Sequence, residues 1–122
     1  MRRRSLLRFA LASALAFAAN ACLSPTIPLP PPIDAPNVQQ GEGSLWAVSG
    51  TCEKGAIVTV FNEKTGKGVA VEDRDLAGKF VIDVEATLCD TGWVTQTTAD
   101  GTSSPSPFVF EPTGGPNGSS CQ

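Results

Sequence analysis

Four cysteines, Cys22, Cys52, Cys89 and Cys121, are the side chains of this 122-residue chain best suited to chemistry, and the chain has neither His nor Tyr. Without histidine, a nucleophilic thiol or hydroxyl lacks its commonest general base. Ser103 and Ser104 stand in the polar stretch DGTSSPS with no base beside them, so a hydrolytic triad is not supported. Asp73-Arg74-Asp75 with Gly78 has the faint outline of a calcium loop. Calcium takes six or more oxygens, however, and a hairpin turn explains Asp and Gly at these places as well. Glu72 and Asp73 read as solvated surface rather than as an acid/base pair. Trp46 and Trp93 admit two readings, a binding platform or core aromatics, of which core is the commoner. No catalytic residue, cofactor site or metal site is therefore expected, and the chain reads as non-enzymatic.

The elements that position these residues begin with a targeting segment. Arg2, Arg3, Arg4 and Arg8 precede an apolar run at 9–19, and Ala19, Asn20 and Ala21 follow, which is the layout of a secretory signal peptide. The run is about half of the ~20 residues that a spanning helix needs. Arg3-Arg4-Ser5-Leu6-Leu7-Arg8 looks like a twin-arginine export motif with Leu6 in place of Phe, and a plain basic segment is the alternative. Cys22 directly after Ala21 resembles the lipobox of bacterial lipoproteins, departing from it at Ala19 and Asn20. The resemblance implies cleavage before Cys22, acylation of its thiol and amino terminus, and a cell-envelope protein held to the membrane by lipid. Leu23 in place of Asp after the cysteine points, in lipoprotein sorting, to the outer membrane. Ordinary cleavage after the Ala-Asn-Ala triplet, leaving Cys22 unacylated, is the other reading.

Residues 22–122 carry five basic side chains against twelve acidic ones, a formal −7. Such a chain suits neither nucleic acid nor an anionic lipid surface, so any membrane attachment must come through the lipid. Residues 22–43, proline-rich after Cys22, read as an extended tether, with a PxxP ligand as the minor alternative. Residues 112–122 read as a disordered Gly/Ser/Pro tail, and the Asn117-Gly118-Ser119 sequon in it as a flexible turn.

Residues 44–111 are left to fold, with a thin core at best. Six runs rich in Val, Ile, Thr, Phe and Trp, at 44–50, 56–62, 67–73, 79–86, 93–99 and 107–111, alternate with Gly, Asp and Lys turns. Val58 and Val60 share one face, as do Phe80, Ile82 and Val84 opposite Asp83 and Glu85. That alternation predicts an all-β sandwich or barrel with one wet face per sheet.

The phrases VSGTCEKGAIVTVFN, DLAGKFVIDV and TADGTSSPSPFVF are similar to bacterial immunoglobulin-like domains of surface and secreted proteins. Gly50, Gly55, Ala56, Val58 and Val60 match one element of that pattern, Asp75, Gly78 and Phe80 a second, Asp100 and Ser104 a third. The regulatory β-sandwich attached to carboxypeptidases shares the first two. Either resemblance implies a small immunoglobulin-like β-sandwich and no activity. With Cys22 acylated, a seven-stranded immunoglobulin-like order puts Cys52 and Cys89 in turns at one end and favours a Cys52–Cys89 disulfide, with Cys121 free or available to a partner. That order requires the run at 67–73 to break into two strands; with simple hairpins the turns lie at opposite ends, and Cys121 pairing with one of them is the alternative. The function expected is a binding or spacer module with an envelope protein or glycan as partner. An accessory or inhibitor module acting on an envelope enzyme is the second reading.

Overall fold

Val58 and Val60 alternate with Ile57, Thr59 and Phe61, and Phe80, Ile82 and Val84 with Lys79, Val81, Asp83 and Glu85. Each run therefore has one face fit for a core and one fit for water. In the computed structural model, which describes Pro30, residues 35–114 and Cys121, both runs are strands. In chain order the strands are β1 (Asn37–Gln40), β2 (Leu45–Thr51), β3 (Ile57–Asn62), β4 (Lys67–Glu72), β5 (Lys79–Glu85), β6 (Thr91–Thr98), β7 (Gly101–Thr102) and β8 (Ser106–Val109). There is no helix among the described residues. The signal segment 1–21, Cys22 and the sequon lie outside them.

All pairings are antiparallel. One sheet has the order β1-β2-β5; the other runs β4-β3-β6, with β7 and β8 sharing the far edge of β6. The chain crosses between sheets at β2–β3, β4–β5 and β5–β6. Second and fifth strands are neighbours in one layer, third and sixth in the other, which is the immunoglobulin-like order of an all-β sandwich.

The core lies between the layers. Val38, Trp46, Val48, Phe80, Ile82 and Val84 come from the three-stranded sheet and meet Val58, Val60, Val94 and Phe110. The five residues placed inward by alternation, Val58, Val60, Phe80, Ile82 and Val84, are all buried. Burying each contributes ~1.5–3 kcal/mol. Trp46 fills the centre, its ring edge-on to Phe110 at 6.2 Å between centroids, and its Nε1 donates to the Ala86 carbonyl at 3.1 Å. Gly92 is required by proximity, since a Cβ there would stand 2.6 Å from the Phe61 carbonyl oxygen and 2.9 Å from the Phe110 ring.

Three expectations are corrected. The tether does not extend to residue 43: β1 lies within it, Val38 is core, Pro36 is buried, and the Pro30 carbonyl accepts Gln96 Nε2 at 2.8 Å. One apolar side chain in Asn-Val-Gln-Gln gives no readable alternation, so only pairing with β2 reveals the strand. The tail is also held in places: the Thr113 N–H donates to the Val38 carbonyl, its Oγ1 accepts from the Val38 N–H, both at 2.9 Å, and Cys121 is disulfide-bonded. Finally, residues 67–72 stay one strand, and the added β1 shifts every later strand one place in the order.

Candidate functional site

The unbroken β4 decides the cysteines, since it leaves three strands, β3, β4 and β5, between Cys52 and Cys89. β2 and β5 pair with Thr51 opposite Lys79 and Leu45 opposite Glu85. Cys52, just after β2, therefore lies at one end of the sandwich, and Cys89, in the β5–β6 connection, at the other. Seven strand residues separate the two ends, roughly 23 Å at ~3.3 Å per residue, which no disulfide spans. The expected Cys52–Cys89 bond is thus corrected. Cys89 is bonded to Cys121, with Cα atoms 5.3 Å apart, and among the described residues Cys52 is the free thiol. Burial raises the Cys52 pKa, and the negative Asp73 adds to the effect. The thiol is packed partly against the core, a setting that leaves little thiolate to react.

The calcium-like loop has a different use. Asp73 is buried and accepts backbone N–H bonds from Gly55 at 3.1 Å, Ala77 at 3.1 Å and Gly78 at 2.9 Å. These donors, Gly55 and Gly78 foremost, lower its pKa. Gly78 itself has φ of 70°, a left-handed conformation that suits glycine, and its carbonyl accepts the Cys52 N–H. Asp73 is therefore a loop fastener, not the solvated acid expected from its neighbours. Glu72 is exposed and paired with Arg74 at 3.0 Å. Ser103 is buried, its Oγ donating to the Ser104 carbonyl and accepting the Gln96 N–H.

The two tryptophans part company. Trp46 is core, as the commoner reading holds, but Trp93 stands on the outer face of the five-stranded sheet. It is directly opposite Phe61 on β3, and the two rings stack with centroids 4.8 Å apart and planes 22° from parallel. Such a pair adds ~0.5–1.5 kcal/mol beyond its burial. Pro107 of β8 is the cross-strand neighbour of Trp93 on one side, and Gly68 of β4 that of Phe61 on the other. Ile57, Thr59, Thr95, Thr97 and Thr102 complete the face, with the hydroxyls of Thr97 and Thr102 2.9 Å apart. Glu72 and its Arg74 partner mark one border, and Glu63, whose Oε2 accepts from Thr91 Oγ1 at 3.0 Å, marks the border beside the aromatic pair. The opposite outer face, by contrast, carries Lys79, Asp83 and Glu85 along β5. An acidic chain thus keeps one sheet face nearly free of charge, built of half-buried aromatics and threonine hydroxyls. Sequence reasoning missed Phe61 because the parity of Gly-Trp-Val-Thr-Gln-Thr-Thr is ambiguous, either Trp93 or Val94 being a plausible core residue. Only the register against β3 settles it.

Compared with protein-family models, with curated proteins and with solved structures, the chain matches none.

Proposed function

We propose that this is a non-enzymatic protein of the cell envelope, lipid-anchored through Cys22, whose immunoglobulin-like sandwich is a binding module. The observation that carries the reading is the face around Phe61 and Trp93, charged only at its borders. Apolar ring surface flanked by hydroxyls suits a neutral partner that offers C–H faces and hydroxyl groups, and an envelope glycan fits that description. The resemblance of the segment around Cys22 to a lipobox supports the anchor. The strands support the geometry of presentation: the chain approaches β1 from the Cys52 end, where Pro30 is held by Gln96, so a membrane-bound amino terminus leaves the Cys89 end outermost.

Two experiments test this. Mass spectrometry of the mature protein should find acyl groups on Cys22, and Cys22→Ser should move the protein from the membrane to the soluble fraction; a mature chain without acyl mass ends the anchored reading. Retention on protein-free envelope polysaccharide should drop at least tenfold in Trp93→Ala, with circular dichroism confirming the fold. Equal retention of variant and parent removes the outer face from the proposal.

The accessory or inhibitor reading draws on one observation. Leu76 stands 58% exposed in the β4–β5 loop with φ of 55°, a held-out apolar side chain. Capture of an envelope enzyme whose rate changes on binding, and recovers with Leu76→Ser, favours it.

A further inference from the structure

β4 is an edge strand whose inner side is only partly covered by β5, to which Lys67 Nζ bridges at Glu85 Oε2, 3.3 Å away. The larger sheet is four strands wide, β4 to β3 to β6 to the β7/β8 edge, and the facing sheet is three wide. Val69 and Val71 pair with Val60 and Val58 and so point to the core side, yet they are 38% and 41% exposed while their partners are fully buried. Every residue of β4 is exposed, and among the described residues no strand is hydrogen-bonded to the side of β4 turned away from β3. The middle of the edge, Gly68-Val69-Ala70-Val71, holds neither proline nor charge, the charged Lys67 and Glu72 standing at its two ends. The other edges of the smaller sheet differ. Val38 of β1 is buried and bonded to Thr113, and β5 buries Phe80, Ile82 and Val84 inward.

We propose that β4 pairs antiparallel with β4 of a second copy, about a twofold axis through Ala70, joining the two larger sheets into one. The register follows from side-chain parity. Setting Ala70 opposite its own copy places Val69 opposite the second copy's Val71 on the inner side and Glu72 opposite Gly68 on the outer side. Four valines then close over one another and no charge faces its like. A shift by one residue sets Val69 against Ala70, which turns the inner face of one copy to the outer face of the other and leaves the valines in water. The occupant is a second copy because the strand is self-complementary in the first register, with apolar meeting apolar and the lone carboxylate meeting glycine.

Residues directly opposite in an antiparallel pair have Cα atoms about 4.5–5.5 Å apart, within reach of a disulfide. The test uses the full chain in the envelope, in a Cys52→Ser background, under mild oxidation. Ala70→Cys should give mainly a disulfide-linked homodimer on a non-reducing gel. The parent and Val81→Cys, a position 67% exposed on the opposite sheet, should remain monomeric. Adding Val69→Lys to Ala70→Cys should lower the cross-link at least fivefold, and since Val69 is already exposed the fold survives. No homodimer at position 70, equal dimer at 70 and 81, indifference to Val69→Lys, or a cross-link to a different protein would each overturn the pairing.

Discussion

The two ends of the sandwich are built on one plan and closed in different ways. Each has a fully buried carboxamide and an aspartate whose pKa is lowered by backbone donors. At the Cys52 end, Gln96 Oε1 accepts the Glu53 N–H at 2.8 Å, Gln96 Nε2 reaches Pro30, and Asp73 gathers Gly55, Ala77 and Gly78. At the Cys89 end, Asn62 Nδ2 donates to the Glu85 carbonyl at 3.1 Å and to Asp90 Oδ2 at 3.0 Å, and Asn62 Oδ1 accepts the N–H groups of Lys64 and Thr65. Asp90 also accepts the Thr87 N–H, the largest cause of its lowered pKa, and the Asn62 amide adds to it. The difference is the covalent bond. The approach to β1 is held at the Cys52 end by hydrogen bonds, whereas Cys121 is held at the other end by the disulfide to Cys89. A thin core thus secures its two termini separately, at opposite poles.

The largest effect should come from the core that both ends share. Phe80→Ala should cost ~3–5 kcal/mol, and denaturant unfolding followed by circular dichroism should show both ends lost in one transition. A variant in which one end survives would mean that the ends fold independently. The disulfide comes next. Its 32-residue separation makes it worth at most about 3–4 kcal/mol by the chain-entropy estimate. Peptide mapping without reductant should recover a linked Cys89–Cys121 fragment, and Cys89→Ser should melt lower than its parent; a Cys52–Cys89 fragment would reverse the assignment of the ends.

The carboxamides should differ in the same direction. Asn62→Leu leaves four bonds unmade at the Cys89 end and should cost about 1–3 kcal/mol. Gln96→Leu should cost less, about 1 kcal/mol, because it leaves two side-chain bonds unmade rather than four, but should hasten proteolysis just before β1. Greater loss in Gln96→Leu would place the weaker end at Cys89.

The acid response applies to both poles. The native pKa values of Asp73 and Asp90 lie below the ordinary 3.8, so the stability they provide is complete above that value. It is lost as pH falls through the lowered native values. Melting temperature should therefore drop below about pH 4, and Asp73→Asn and Asp90→Asn should each flatten that drop. A melting temperature unchanged between about pH 7 and pH 3 rules out both fasteners. The smallest effect belongs to Cys52→Ala, under about 1.5 kcal/mol for a small, partly buried side chain.

Much of this architecture is legible from alternation. Val58, Val60, Phe80, Ile82 and Val84 announce their faces because polar neighbours fill the other parity. Six of the strands lie within two residues of the runs that the sequence marks. The candidate site is not legible in this way. Trp93 and Val94 are both apolar, so parity there is undetermined, and the value of Phe61 depends on which residue stands across from it. Asn62, Gln96 and Asp73 look like surface residues in the sequence and are buried hubs in the fold, since their worth lies in partners far along the chain, such as Glu53 and Glu85.

What the sequence determines by itself is local: the apolar periodicity of strands, the places of turns, the acidic charge and the absence of histidine all follow from residue types and near neighbours. What only the tertiary structure decides is which strands are adjacent. One added strand, β1, shifts the order by a place, and an unbroken β4 leaves three strands between Cys52 and Cys89, which sends them to opposite ends. The cause is physical. Pairing of distant segments is set by the burial and backbone hydrogen bonds of whole sheets, and a four-residue strand with one valine contributes to both without leaving a periodicity of its own.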